Sequence, residues 1–226
     1  MKKALSYMIL FLFTMNSCVV YHPHTTDIPL LAKKGDARLN GGFSLLKWHA
    51  TVSDAVSDKI AVQTFGDFNG DEEYYLQQAV GYYKDLGNKK VMEIYSGFGY
   101  GYGDAYNHDK PGHLNGNYQV YFTQFNFGKI DCEFANTDLG FAFKTGILHS
   151  RLTDRNYYAT EFPYESYGIY KDNCFLIEPQ AFLRLGGEKM KVCLQVASTG
   201  IYKFTNKDLW FPYFIFNIGL GFNYRF

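Results

Sequence analysis

The last thirteen residues alternate without a break. Phe214, Phe216, Ile218, Leu220, Phe222, Tyr224 and Phe226 fall on one side of an extended chain, and Ile215, Asn217, Gly219, Gly221, Asn223 and Arg225 on the other. A period of two belongs to a β-strand with two chemically different faces. The same period recurs upstream. Met92, Ile94, Phe98, Tyr100 and Tyr102 oppose Glu93, Tyr95, Gly97, Gly99 and Gly101, and Leu139, Phe141, Phe143 and Ile147 oppose Asp138, Gly140, Ala142 and Lys144. Phe175, Ile177, Ala181 and Leu183 oppose Glu178, Gln180 and Arg184, and Val192, Leu194 and Val196 oppose Lys191, Cys193 and Gln195. Ten strands are predicted, over 36–44, 46–53, 59–69, 74–86, 90–103, 116–129, 137–150, 174–186, 189–203 and 212–226, with eight as the alternative count.

The connections alternate in length. Short ones fall at 54–58, 87–89, 130–136 and 187–188, and longer ones at 104–115, 151–173 and 204–211. In a meander, alternate connections lie at opposite ends. Short turns at one end and long loops at the other are the habit of outer-membrane barrels. An even strand count returns both ends of the barrel to the short-turn side.

Alternation alone does not say which face is outside. A soluble, calycin-like barrel turns its apolar face inward and needs a charged exterior. Here the polar face is rich in Gly, Asn, Gln and Ala, and rows of Phe would overfill the interior of about ten strands. The 43 aromatic residues, 2 Trp, 20 Tyr and 21 Phe, suit a lipid-facing surface with Tyr and Trp near its borders. The fold expected is therefore an all-β, up-and-down antiparallel transmembrane β-barrel. Its lumen would hold Arg38, Lys47, Asp67, Glu93, Lys144, Glu178, Arg184 and Arg225. These charges should pair, since an unpaired buried charge is costly, and an interior so filled is a plug rather than a pore. The soluble carrier is the alternative.

Ahead of the barrel, Lys2 and Lys3 precede an 11-residue apolar run, 5–15 (LSYMILFLFTM), too short to span a bilayer as a helix. It reads as a secretory signal over 1–17. Met15-Asn16-Ser17-Cys18 resembles a lipobox, which makes Cys18 the expected lipidation site. Residues 18–35, polar and Pro-containing, read as a lipidated tether to a barrel over 36–226. With the barrel's ends on the short-turn side, an inner-leaflet lipid on Cys18 has a place there, but the sequence does not fix the leaflet. Cys132 is expected in a turn and Cys174 opposite about Ile201, which predicts no disulfide between Cys174 and Cys193. No zinc spacing occurs.

Several segments resemble a family. Pro29-Leu30-Leu31 followed by Lys34-Gly35-Asp36 resembles an entry into a first strand, and Val56-Ser57-Asp58-Lys59-Ile60-Ala61-Val62 a first periplasmic turn. Ala79-Val80-Gly81-Tyr82-Tyr83 and Gly116-Asn117-Tyr118-Gln119 resemble middle strands, and the terminal Phe226 an assembly signal. Together they resemble the small outer-membrane β-barrel lipoproteins of the Bacteroidota. The resemblance implies a place and a fold more than an activity.

Zero net charge, from 22 basic and 22 acidic residues, gives no electrostatic reason to expect nucleic acid. The high apolar content excludes general disorder. The glycines of 97–103 miss the G-x-G-x-x-G spacing and precede no helix. Asp67, Asp71, Glu72 and Glu73 cluster as if for Ca²⁺, but the Gly that an EF-hand loop requires is missing. His108, Asp109 and His113 share a loop with Asp104, and His149 stands beside Ser150 with Asp154 nearby. Adjacent strand residues point to opposite faces, so His149 and Ser150 do not meet. Tyr157, Tyr158, Phe162, Tyr164, Tyr167 and Tyr170 crowd 151–173, and exposed Tyr supplies contact area at low entropy cost. The expectation is a non-enzymatic barrel lipoprotein needing no cofactor or metal. Lipid would surround it, and Tyr157, Tyr158, Tyr164, Tyr167 and Tyr170 would offer a surface to a protein or glycan. The alternative is a rim enzyme acting on lipid, glycan or peptide.

Overall fold

The structure, a computed structural model, describes residues 20–24, 28–44, 47–69, 73–106, 113–133, 136–155, 166–205 and 213–226. Eleven strands follow in order: β1 (Ala37–Ser44), β2 (Lys47–Asp54), β3 (Ile60–Phe68), β4 (Tyr74–Gly87), β5 (Lys90–Tyr106), β6 (His113–Cys132), β7 (Thr137–Arg155), β8 (Ser166–Gly186), β9 (Met190–Ser198), β10 (Gly200–Lys203) and β11 (Phe216–Arg225). β9 and β10 hold one register against β8, Ala197 opposite Gln180 and Gly200 opposite Ile177. They are one stave interrupted at Thr199, whose N–H donates to the Ile215 carbonyl at 2.8 Å.

Each stave pairs antiparallel with its neighbours in sequence, and β11 closes the ring on β1 from Arg38↔Arg225 to Ser44↔Gly219. The fold is an all-β, up-and-down, closed barrel of ten staves, so the eight-strand alternative is set aside. Closure pairs the first stave with the last, so the sheet has no open edge along the seam. Asn88 and Lys89 both take positive φ, 52° and 64°, the backbone of the tight hairpin between β4 and β5.

The alternation sorts the faces as expected. Trp48, Leu220 and Phe222 are 57–59% exposed on the outside, while Glu93 and Arg184 are wholly buried inside. The soluble alternative needs the reverse arrangement and is corrected by it. Along β6 the outward side chains run from Tyr121 to Phe127, with polar Asn117 and Gln119 above and Lys129 below. At a strand rise of about 3.3 Å and a tilt of about 45°, the ten residues from Gln119 to Lys129 climb roughly 23 Å, close to the apolar band of a bilayer-spanning barrel. Gln119, His149 and Asn173 stand in one row across β6, β7 and β8, as do Asn117, Arg151 and Lys171. These rows mark the upper border.

The central strands are longer than the alternation predicts. β5 to β8 run 17, 20, 19 and 21 residues, against 8, 8 and 9 for β1 to β3. Above the apolar band both faces carry polar residues, so the period fades while the ladder continues. Two expectations about cysteines shift. Cys132 closes β6 opposite Thr137 beyond a bulge. Cys174 faces Lys203, and Ile201 faces Leu176. The β8–β9 hairpin closes at Gly186↔Lys191, a turn two residues longer than expected, which moves every partner by two.

The stretch read as a tether is the larger correction. Val20, Tyr21, Ile28, Leu30 and Leu31 are buried, inside the ring.

Candidate functional site

The lumen is built around this N-terminal thread. At the long-loop end the Phe214 N–H donates to the Tyr21 carbonyl at 2.8 Å, and Tyr21 bridges to Tyr213. The Tyr21 hydroxyl donates to Glu178 Oε1 at 3.0 Å. Asn217 Nδ2 donates to the Pro23 carbonyl at 2.7 Å, and Gln180 Nε2 to the His24 carbonyl at 3.2 Å. Lower down, the Arg184 guanidinium donates to the Ile28 carbonyl, and the Leu31 N–H donates to Glu93 Oε1 at 2.7 Å. At the short-turn end the N–H groups of Ala32 and Lys33 reach Asp36 Oδ2 at 3.0 and 3.1 Å, and that of Gly35 reaches the Ala55 carbonyl. Thread positions 21, 24 and 28 thus meet β8 positions 178, 180 and 184 in turn. The thread descends beside β8 in the same direction.

Glycines make the room. A Cβ on Gly99 would run into the Tyr75 ring, and one on Gly103 into the Val20 backbone. Both lie on the inward face of β5, where alternation placed a row of Gly.

Two polar clusters hold the thread. Near the long-loop end, His24 Nδ1 lies 2.6 Å from Asp67 Oδ2, with its ring stacked on Tyr75 at 3.7 Å. Lys47 Nζ stands 3.7 Å from Asp67 and 3.3 Å from Glu73, and Lys144 Nζ 3.2 Å from Glu178. Glu73 sits in the connection between β3 and β4, clasped by Asn69 through its own N–H and carboxylate. Burial pushes its carboxyl up to about 7, against the pull of Lys47. Near the short-turn end, Asp138 gathers Arg38, Arg184 and Lys191 at 3.2, 3.7 and 2.5 Å. Asp131 joins Lys191 to Arg225. A carboxylate in low dielectric persists only when so partnered.

The eight charges expected in the lumen are there, with Arg225 at its lower rim. Alternation also put Asp138 and Lys191 on that face. Tyr21, His22 and His24 escaped notice, because the thread has no period of its own. The apolar residues Ile28, Leu30 and Leu31 within a polar stretch were the available signal.

The other candidates separate. Asp67 turns inward to His24 and Lys47, away from an acidic loop, and 70–72 lie outside the described residues. His149 faces outward, with Nδ1 2.5 Å from Asn173 Oδ1, and Ser150 faces inward. Tyr170 is half-buried and packs against the inner core. Tyr157, Tyr158, Tyr164, His108, Asp109 and Cys18 lie outside the described residues, as do the side chains of Tyr167, His113 and Asp154. Among the described residues no His, Cys, Asp and Glu set is grouped to hold a metal.

The arrangement locks a peptide in place. The close His24–Asp67 pair has the makings of an acid–base couple, but both side chains are buried and one ring face is covered by Tyr75.

No protein-family model matches the chain, and no curated protein matches it. Among solved structures it is similar to the N-terminal β-barrel domain of Pseudomonas aeruginosa OprF, at 11% identity and a TM-score of 0.33, over 84% of this chain and 96% of that one.

Proposed function

We propose that the chain is a non-enzymatic outer-membrane barrel lipoprotein, closed to diffusion, that serves as a structural element or a partner-binding module. The observation that carries this reading is an apolar outer band of roughly 23 Å between polar margins around a lumen filled by the chain's own thread and paired charges. The outer membrane follows from the band and from the separation of short turns from long loops. The lipid is assigned to Cys18, on the Ser17-Cys18 motif that ends the apolar leader. Partner contact is assigned to the aromatic stretch 151–173, with Tyr157, Tyr158, Tyr164, Tyr167 and Tyr170, and the partner to a protein or a glycan.

Outer-membrane fractionation followed by gel mobility of boiled and unboiled protein tests the barrel reading. Recovery there with a heat-dependent shift is expected, and a water-soluble product without a shift refutes it. Planar-bilayer recording should give no steady conductance. Alanine at Tyr164 and Tyr167 should weaken capture of native partners from membrane extracts, and unchanged capture removes the binding role from that segment.

A further inference from the structure

The thread has a direction. Asp36 precedes β1 at the short-turn end, yet Val20 stands at the other end, its backbone against Gly103 and its successor Tyr21 bridged to Tyr213. Gly103 lies one residue above Tyr102, whose row across β6 and β7 is Asn117 and Arg151, the upper polar border. The chain therefore crosses the whole apolar band inside the ring before β1 begins.

Reach decides where the preceding residues go. Cys18 is two residues from Val20, at most about 7 Å of extended chain. Returning to the short-turn end would need roughly 23 Å, and a second pass through a lumen already occupied by Tyr21, Tyr75, Tyr118 and Phe65. We infer that the N-terminus leaves the barrel at the long-loop face, so that Cys18 is an acylation site whose lipid stands in the outer leaflet, at the external mouth. This rests on the reading of Cys18 as lipidated and of the long loops as external. It assigns the leaflet that the strand count leaves open.

The test uses full-length chain in its own outer membrane, in a Cys132→Ser background. A membrane-impermeant maleimide is applied to intact and to lysed cells carrying Val19→Cys or, on the short-turn face, Glu188→Cys. Equal labelling of Val19→Cys in intact and lysed cells, with Glu188→Cys labelled only after lysis, is the expected result. Val19→Cys labelled only after lysis overturns the threading. Where Val19→Cys gives no heat-dependent mobility shift, a Gly-Ser-Cys-Gly-Ser insertion between Val19 and Val20 reads the same face. Palmitate incorporation is measured separately and should vanish in Cys18→Ala. Wild-type protein without palmitate refutes the acylation site, while the labelling still reports the exit face.

Discussion

Asp138→Asn keeps the shape of the short-turn cluster and removes its central charge. Asp138 is fully buried, and its carboxylate meets Arg38 Nη1 at 3.2 Å, Arg184 Nη1 at 3.7 Å, Lys191 Nζ at 2.5 Å and the Asp131 N–H at 2.8 Å. After the change, Lys191 still has Asp131 at 2.8 Å, Arg38 has Asn223 Oδ1 at 3.1 Å, and Arg184 has the Ile28 carbonyl. Both guanidinium groups then lose the carboxylate that they share at that centre. Breaking a buried pair costs about 3–5 kcal/mol, and the surviving Lys191–Asp131 contact argues for about 3 kcal/mol. With a urea dependence of about 1–3 kcal/mol per molar, the unfolding midpoint should fall by about 1–3 M. The assay is urea titration of the barrel refolded in vesicles, read by the unboiled gel shift. A midpoint drop equivalent to less than about 1 kcal/mol, the worth of a solvent-exposed pair, would refute the reasoning, because it would mean that water screens this end of the lumen. A double-mutant cycle with Lys191→Met should show coupling of about 0.5–3 kcal/mol.

Other outcomes follow from the same geometry. Gly99→Leu should abolish the heat-dependent shift, since any side chain there meets Tyr75, and Tyr75→Ala should restore part of it, which parallel gels would record. Glu93→Ala should lower stability by about 1–3 kcal/mol, the cost of leaving the Leu31 N–H without its acceptor, and raise bilayer conductance by loosening the thread. The Glu73 carboxyl is held up near 7, so its favourable contribution is complete below its ordinary range and is lost as pH rises through 7. The urea midpoint should fall between pH 5 and pH 8, and Glu73→Gln should flatten that dependence. Trp48 faces outward at the long-loop end of β2, so in a Trp210→Phe background brominated lipid should quench its fluorescence, whereas quenching only by aqueous iodide would place it outside the bilayer.

The barrel was legible where a residue's neighbours at i ± 2 share its environment. From Phe216 to Arg225, alternation alone names the inward Asn217, Asn223 and Arg225. It fails where environment stops alternating. The tops of β5 to β8 rise above the apolar band, so Asn117, His149 and Lys171 face water and hide the strand. Register slipped at Cys174 because turn length is set by backbone geometry around 187–189, not by hydrophobicity. The thread was least legible. It is bound mainly through its own carbonyls and N–H groups, at Tyr21, Pro23, His24, Ile28 and Leu31, and every residue type offers those. What the sequence does carry is the complement, in the inward Gly99 and Gly103 that leave space, and in Gln180, Arg184 and Asn217 that find their partners on the thread.

A ring of ten staves closed by the β1–β11 seam encircles a segment of the same chain. The segment is fastened to the ring at its lower end, through Lys33 to Asp36. If a bulky acyl group is fixed at its upper end, the result is an axle with a stopper, and no opening of individual hydrogen bonds lets it slide out. The order of assembly is then constrained as well. The axle must lie between the walls before the seam zips, since a lipid-bearing end cannot be pushed through a filled lumen afterwards. Seam closure is in that sense a capture step, and the protein that emerges from assembly is already loaded.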